Sequence, residues 1–393
     1  MTSSEFERKP SHNFDRFWFS VLTAIASVFF VGHSSQAGAE TSLEFAPRLD
    51  VYEDDTKQEL YLRLAADHSA NASAFGLLNY RMRVEGFLSR DFAELDKKPL
   101  GAPDLRKSRD ESDLNEAWLD FGFKNGVGLR LGRQPIRWSQ SWTLPSLDLL
   151  TGRRFNRFFL DPLIDQLTHP DAIRLTYTGT IFDQTWDLDV AHVLRSAPFR
   201  FAEPLTNSDR ENLGETAAKF GLKLGLLEIA AIGSTKKVTG TSQRELQSGF
   251  LASYAFEKVV LKFETGNSDR DALFVTLGSD WFLDEWLVGP QLTTFRDRSS
   301  GNESEAIFYL PVRYSKERWS LETDLLIGFG RPSASDDRYF SVRIGRELYE
   351  GLTLSAGAQN YNGQAGRLLG QAKSNLGETI YGLRLEYIGG FVL

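Results

Sequence analysis

The chain contains no cysteine and only 2 methionines in 393 residues. Without thiols it has no disulfide framework, no Cys-ligated zinc or iron–sulfur site and no thiol nucleophile. An excess of positive charge is also missing. The 45 Lys and Arg stand against 53 Asp and Glu, a formal net charge of −8 with pI ≈ 5.4, which excludes a general nucleic-acid binder. Long apolar runs are scarce too. After Glu40 a charged side chain interrupts each hydrophobic stretch well before the roughly 20 residues a membrane helix needs. The 12% aromatic content argues against disorder. A periplasmic protein, a secreted one and an outer-membrane β-barrel remain, and only the barrel hides its membrane signal in alternation.

Residues 1–39 read as a secretory signal peptide. Arg8, Lys9 and Arg16 precede an apolar run from Phe17 to Gly32, and Ala37-Gly38-Ala39 offers small residues to a signal peptidase. The run is too short for a membrane anchor. Cleavage after Ala39 would leave residues 40–393 as one barrel domain.

That body alternates with period two. Leu78, Tyr80, Met82, Val84 and Leu88 share one parity, and Asn79, Arg81, Arg83 and Glu85 the other. The pattern recurs at Ala117/Leu119/Phe121/Phe123, Val127/Leu129/Leu131, Ile173/Leu175/Tyr177 and onward to Tyr381/Leu383/Leu385/Tyr387, and Asn125-Gly126 marks a tight hairpin. A soluble sandwich also alternates. Three features favour the barrel: strands of about ten residues, aromatics such as Trp281, Trp286, Tyr314 and Trp319 toward strand ends, and short connections alternating with long ones. The predicted fold is all-β, a transmembrane antiparallel β-barrel of eighteen strands, or sixteen if 43–66 is irregular. Pro47 and the acids Glu53, Asp54 and Asp55 make that first hairpin the weakest part of the pattern. Residues Tyr381 to Leu393 resemble the terminal strand that barrel-insertion machinery reads.

The polar parity carries many charges. Arg81, Arg83, Glu116, Asp120, Arg130, Arg174, Asp187, Asp189, Arg313, Glu322 and Asp324 are the predicted pore lining, with opposite signs on neighbouring strands. Cross-strand pairing would stabilise the wall by about 0.2–1 kcal/mol per pair; a wet lumen would use the same charges to order polar solutes. The loop 138–169 holds Trp138, Trp142, Arg153, Arg154, Arg157 and Phe158 and is the candidate constriction, offering guanidinium groups to carboxylates and rings to sugar faces. As an outer loop it would instead hold lipopolysaccharide phosphates.

The stretch Asn115-Glu116-Ala117-Trp118-Leu119-Asp120-Phe121, then Leu129-Arg130-Leu131-Gly132-Arg133-Gln134 and Trp138, resembles a segment of porin-like outer-membrane families, alginate-export-type channels among them. The resemblance covers roughly 115–177 and implies that Arg133 and Gln134 lie near a constriction and that a small or oligomeric anionic solute passes, such as a carboxylated sugar. The expected function is passive diffusion of small polar or anionic solutes across the outer membrane. Arg130, Arg133, Arg153, Arg154 and Arg157 would guide anions, and Glu116 and Asp120 would form the opposing wall. No metal site, cofactor or catalytic residue is indicated: there is no His-Glu-x-x-His, P-loop or Gly-x-Ser-x-Gly, and His68, His169 and His192 read as structural. The expected partners are outer-membrane lipid, lipopolysaccharide, the insertion machinery and the solute, and no nucleic acid. Two alternatives stay open, a plugged structural or partner-binding barrel and a barrel enzyme of lipase or protease type.

Overall fold

The computed structural model describes residues 40–52, 58–71, 77–91, 110–141, 147, 150, 152–153, 167–195, 215–237, 244–267, 273–297, 303–329, 338–362 and 379–392. The proposed signal peptide and much of the loop 138–169 lie outside them. Their strands are β1 (Glu40–Tyr52), β2 (Gln58–Asn71), β3 (Leu77–Asp91), β4 (Asp110–Phe123) and β5 (Val127–Arg133). Next come β6 (Asp171–Ile181), β7 (Gln184–Arg195), β8 (Glu215–Leu224), β9 (Leu227–Lys237) and β10 (Arg244–Phe256). Then follow β11 (Val259–Asn267), β12 (Leu273–Leu283), β13 (Trp286–Val288 and Gln291–Asp297) and β14 (Glu303–Lys316). The last are β15 (Trp319–Phe329), β16 (Arg338–Tyr349), β17 (Leu352–Asn362) and β18 (Thr379–Tyr387 and Gly389–Val392).

Each strand pairs antiparallel with its successor, and β1 pairs with β18, so the sheet closes as an 18-strand barrel. Closure removes every sheet edge, the condition for β-structure to cross a bilayer. The first hairpin is regular over Glu40 to Val51, which resolves the count in favour of eighteen. Pro47 fits because the β1–β18 ladder is interrupted there: it runs Ser42–Phe45 against Val392–Gly389, then Arg48–Tyr52 against Glu386–Gly382. A proline has no N–H to give a ladder, so it settles at such a gap. Gly289-Pro290 breaks β13 in the same way.

The short connections lie at one end. Phe182 and Asp183 both have positive φ (49° and 62°), the geometry that matches a two-residue hairpin to the strand twist. Gly126 (φ 82°) accepts what a side chain would resist, since a Cβ there would meet the Thr178 carbonyl at 2.4 Å. At the same end, outward aromatic pairs form a girdle: Trp286–Tyr314 with ring centroids 4.5 Å apart, Tyr177–Trp186 at 4.9 Å and Phe45–Tyr387 at 5.6 Å. The outer surface is apolar, with Leu175, Leu261, Leu277, Ile344 and Leu383 exposed, as a lipid-facing wall requires. No described helix is long and apolar enough to cross a membrane.

Candidate functional site

The chain leaves β5 and turns into the barrel. Gln134 is fully buried and its Nε2 donates to the Ala172 carbonyl at 2.9 Å. Trp138 Nε1 donates to Asp189 Oδ2 at 2.7 Å. Ser139 Oγ donates to Glu264 at 2.7 Å, the Gln140 backbone N–H donates to the same carboxylate, and Lys262 Nζ donates to the Gln140 carbonyl at 3.0 Å. Gln291 Nε2 reaches Ser141 Oγ at 2.5 Å. All these wall partners are inward residues of β6 to β13, so the segment crosses the inside of half the barrel.

An apolar seat sits beneath it. Ile136, Trp138, Leu147 and Leu150 pack with Ala172, Ala191, Val193, Ala217, Ala230, Ile232, Leu251 and Phe274, none more than 4% exposed. Alanines on the inner face leave room for a strap of chain. At Gly249 a Cβ would stand 2.1 Å from Leu147 Cδ2, so the absent side chain is what admits Leu147. The polar groups of the segment, which would cost free energy if buried bare, find Asp189, Glu264 and Gln291.

The other half of the inner wall is charged and aromatic. Asp324 accepts from Tyr309 OH at 2.5 Å, Arg313 Nη2 at 2.7 Å and Ser341 Oγ at 3.2 Å, and Glu322 pairs with Arg343 at 2.6 Å. Further round, Arg81 pairs with Asp67 at 2.6 Å, Arg83 bridges Glu85 (2.5 Å) and Glu116 (3.3 Å), and Arg130 pairs with Asp120 at 2.7 Å. Trp118 anchors this group: its Nε1 donates to Glu116 and Arg130 stacks over its ring at 4.2 Å.

The positions named from sequence divide into several groups. Arg81, Arg83, Glu116, Asp120, Arg130, Arg174, Asp189, Arg313, Glu322 and Asp324 carry the cross-strand pairs of the inner parity, and Asp187 stands there opposite Gly221. Glu116 and Asp120 do not oppose Arg130 across the lumen. They are on the adjacent strand, because β4 and β5 are one hairpin. Arg133 pairs with Asp171 at 2.8 Å in the register of Leu131 with Ile173, both exposed outward. Arg133 thus continues the outward parity of β5 in register, and its neighbour Gln134 is buried. The Arg153 backbone pairs with Leu167, while Trp142, Arg154, Arg157 and Phe158 lie outside the described residues. His68 bonds Thr41 and Tyr80, His192 bonds Thr216 at 2.8 Å, and His169 lies 3.8 Å from Glu116. Among the described residues no group of three or more carboxylates and histidines could hold a metal ion.

Sequence reasoning missed the apolar seat. Its signal was present as runs apolar on both parities, Ile229-Ala230-Ala231-Ile232 and Gly249-Phe250-Leu251-Ala252, the mark of a strand covered on both faces.

The class defined by fold and site is a closed β-barrel with part of its own chain folded against the inner wall. No family model and no curated protein matches the chain. Solved structures similar to it are porins. Salmonella typhi OmpF in complex with daunomycin is 9% identical with a TM-score of 0.49, over 89% of this chain and 97% of that one. A mutant of Rh. blastica porin is 14% identical with a TM-score of 0.44, over 89% and 100%. At such identities the likeness concerns the fold alone.

Proposed function

We propose that this protein is an outer-membrane, porin-like channel for passive diffusion of small polar solutes. The observation that carries the reading is the segment 134–141, with Leu147 and Leu150 beyond it, pinned across one half of the inner wall while the other half presents charged side chains. A strap of that kind narrows a lumen without closing the barrel, and lumen charge then sorts what passes. In the finer form of this reading the solutes are anionic, carboxylated sugars included, guided by Arg130 together with Arg153, Arg154 and Arg157. Arg130 gives one hydrogen bond to Asp120 among the described residues, while a guanidinium has five donors.

The test is single-channel conductance and reversal potential of the refolded barrel in a planar bilayer under a salt gradient. Stable conductance with anion preference is expected, with the preference weakened by the triple replacement of Arg153, Arg154 and Arg157. Unchanged reversal potentials in that variant would remove the three arginines from the account.

A second reading, a plugged structural or partner-binding barrel, is favoured by one observation. Inner-face residues opposite the strap are themselves covered, with Tyr339 2%, Gln359 3% and Arg384 3% exposed. It expects an inserted barrel that does not conduct.

A further inference from the structure

We propose that Arg130 and Arg174 together form an oxyanion subsite on the inner wall, at the root of the folded-in segment; this rests on the channel reading and names a site within it. The two residues are direct partners across β5 and β6. Like charges directly opposite on an antiparallel pair repel. The same wall holds a second like-charged pair, Glu85 opposite Glu116, and there Arg83 bridges both carboxylates. The arginine pair has no such bridge among the described residues. Asp120 holds Arg130 from the β4 side at 2.7 Å. Asp189 holds Arg174 from the β7 side through two bonds of 2.9 and 2.5 Å. The carboxylates therefore flank the pair, Asp120 on one side and Asp189 on the other, with the two arginines adjacent in the ladder between them.

Both groups are held in place and partly open. Arg130 lies over Trp118, Arg174 Nη1 donates to the Pro135 carbonyl, and the side chains are 25% and 20% exposed. Each planar fork keeps donors beyond those its flanking carboxylate accepts. A ligand oxygen group with two acceptors, a carboxylate or a phosphate, would bridge them and relieve the repulsion as Arg83 does for the acidic pair.

Calorimetry on the detergent-solubilised full chain with glucuronate, inorganic phosphate and glucose tests the site, with single-channel recording in parallel. Wild type is expected to bind one or both anions and not glucose. Glucuronate alone would point to sugar acids, phosphate alone to phosphorylated solutes. Arg130→Gln and Arg174→Gln should each weaken binding about tenfold or more, the loss of a charged hydrogen bond. The double variant Arg174→Gln/Asp189→Asn, which removes the guanidinium without stranding its carboxylate, should show the same loss. Lys258→Gln, at a turn on the rim, should not. Binding that survives all the arginine variants, or no anion binding by wild type, overturns the subsite even in a conducting barrel. Anion binding lost in the variants of a barrel that never conducts would keep the subsite and overturn the channel.

Discussion

The two halves of the barrel interior solve the problem of an inward face differently. From β6 to β13 the wall carries a patch of small and apolar side chains, and the chain's own segment 134–141, with Leu147 and Leu150, covers it. From β14 round to β5 the wall is built of arginine, carboxylate and tyrosine groups that satisfy one another across strands. A buried charge is tolerated only when paired and hydrogen-bonded, so the second half needs its partners within the wall. The first half turns Asp189, Glu264 and Lys262 toward the strap, while Asp189 and Lys262 also pair with Arg174 and Asp280 in the wall. Inward alanine on β6 to β9 therefore marks where chain lies.

The strongest way to break this contrast is Glu264→Ala. It removes the carboxylate that receives Ser139 and Gln140 and should cost about 3 kcal/mol. Larger, noisier conductance and faster hydrogen exchange over 134–141 are expected; unchanged exchange would show that the strap is held by its apolar residues alone. Leu147→Ala should cost about 2–3 kcal/mol in denaturant unfolding. Gly249→Ala should also destabilise, by about 1–3 kcal/mol, because its methyl invades the space of Leu147. The double variant should be milder than the sum, a coupling that reads their contact directly.

In the other half, Asp324→Asn should cost about 1–3 kcal/mol and move the reversal potential toward anions, with exchange over 134–141 unaltered. A change in that exchange would mean the halves are coupled. The smallest effect belongs to the rim. A hydrogen bond and the charge of Lys316 hold the Glu285 carboxyl below the ordinary carboxylate range. A depressed value stabilises the folded state above the unfolded pKa, and that contribution is lost as pH falls through the folded one. Glu285→Gln should leave unfolding near neutral pH almost unchanged, since exposed pairs contribute little, and should flatten the acid limb. A steep loss at neutral pH would contradict this.

Much of the architecture was legible before folding. Alternation at Leu78–Leu88 and at Tyr381–Tyr387, with the Asn125-Gly126 turn, dictates antiparallel strands because successive side chains take opposite faces. Short and long connections gave the two ends. The inner charged pairs followed from the same parity, so Arg313 with Asp324 and Arg174 with Asp189 were predictable as neighbours. The apolar seat was not predictable in this way, because runs such as Ile229-Ala230-Ala231-Ile232 are apolar on both parities and period two does not say what covers them.

What the sequence by itself determined is local and periodic: strands, faces, turns and the sign of the inward charges. Only the tertiary structure decided that the chain after Gln134 folds inward, that Trp138 finds Asp189 and Ser139 finds Glu264, and that Arg130 stands beside Arg174. Those partners are 51, 125 and 44 positions apart in the chain, and no period of two links them. Their meeting is set by barrel closure and strand register, which bring distant inward faces around one shared interior.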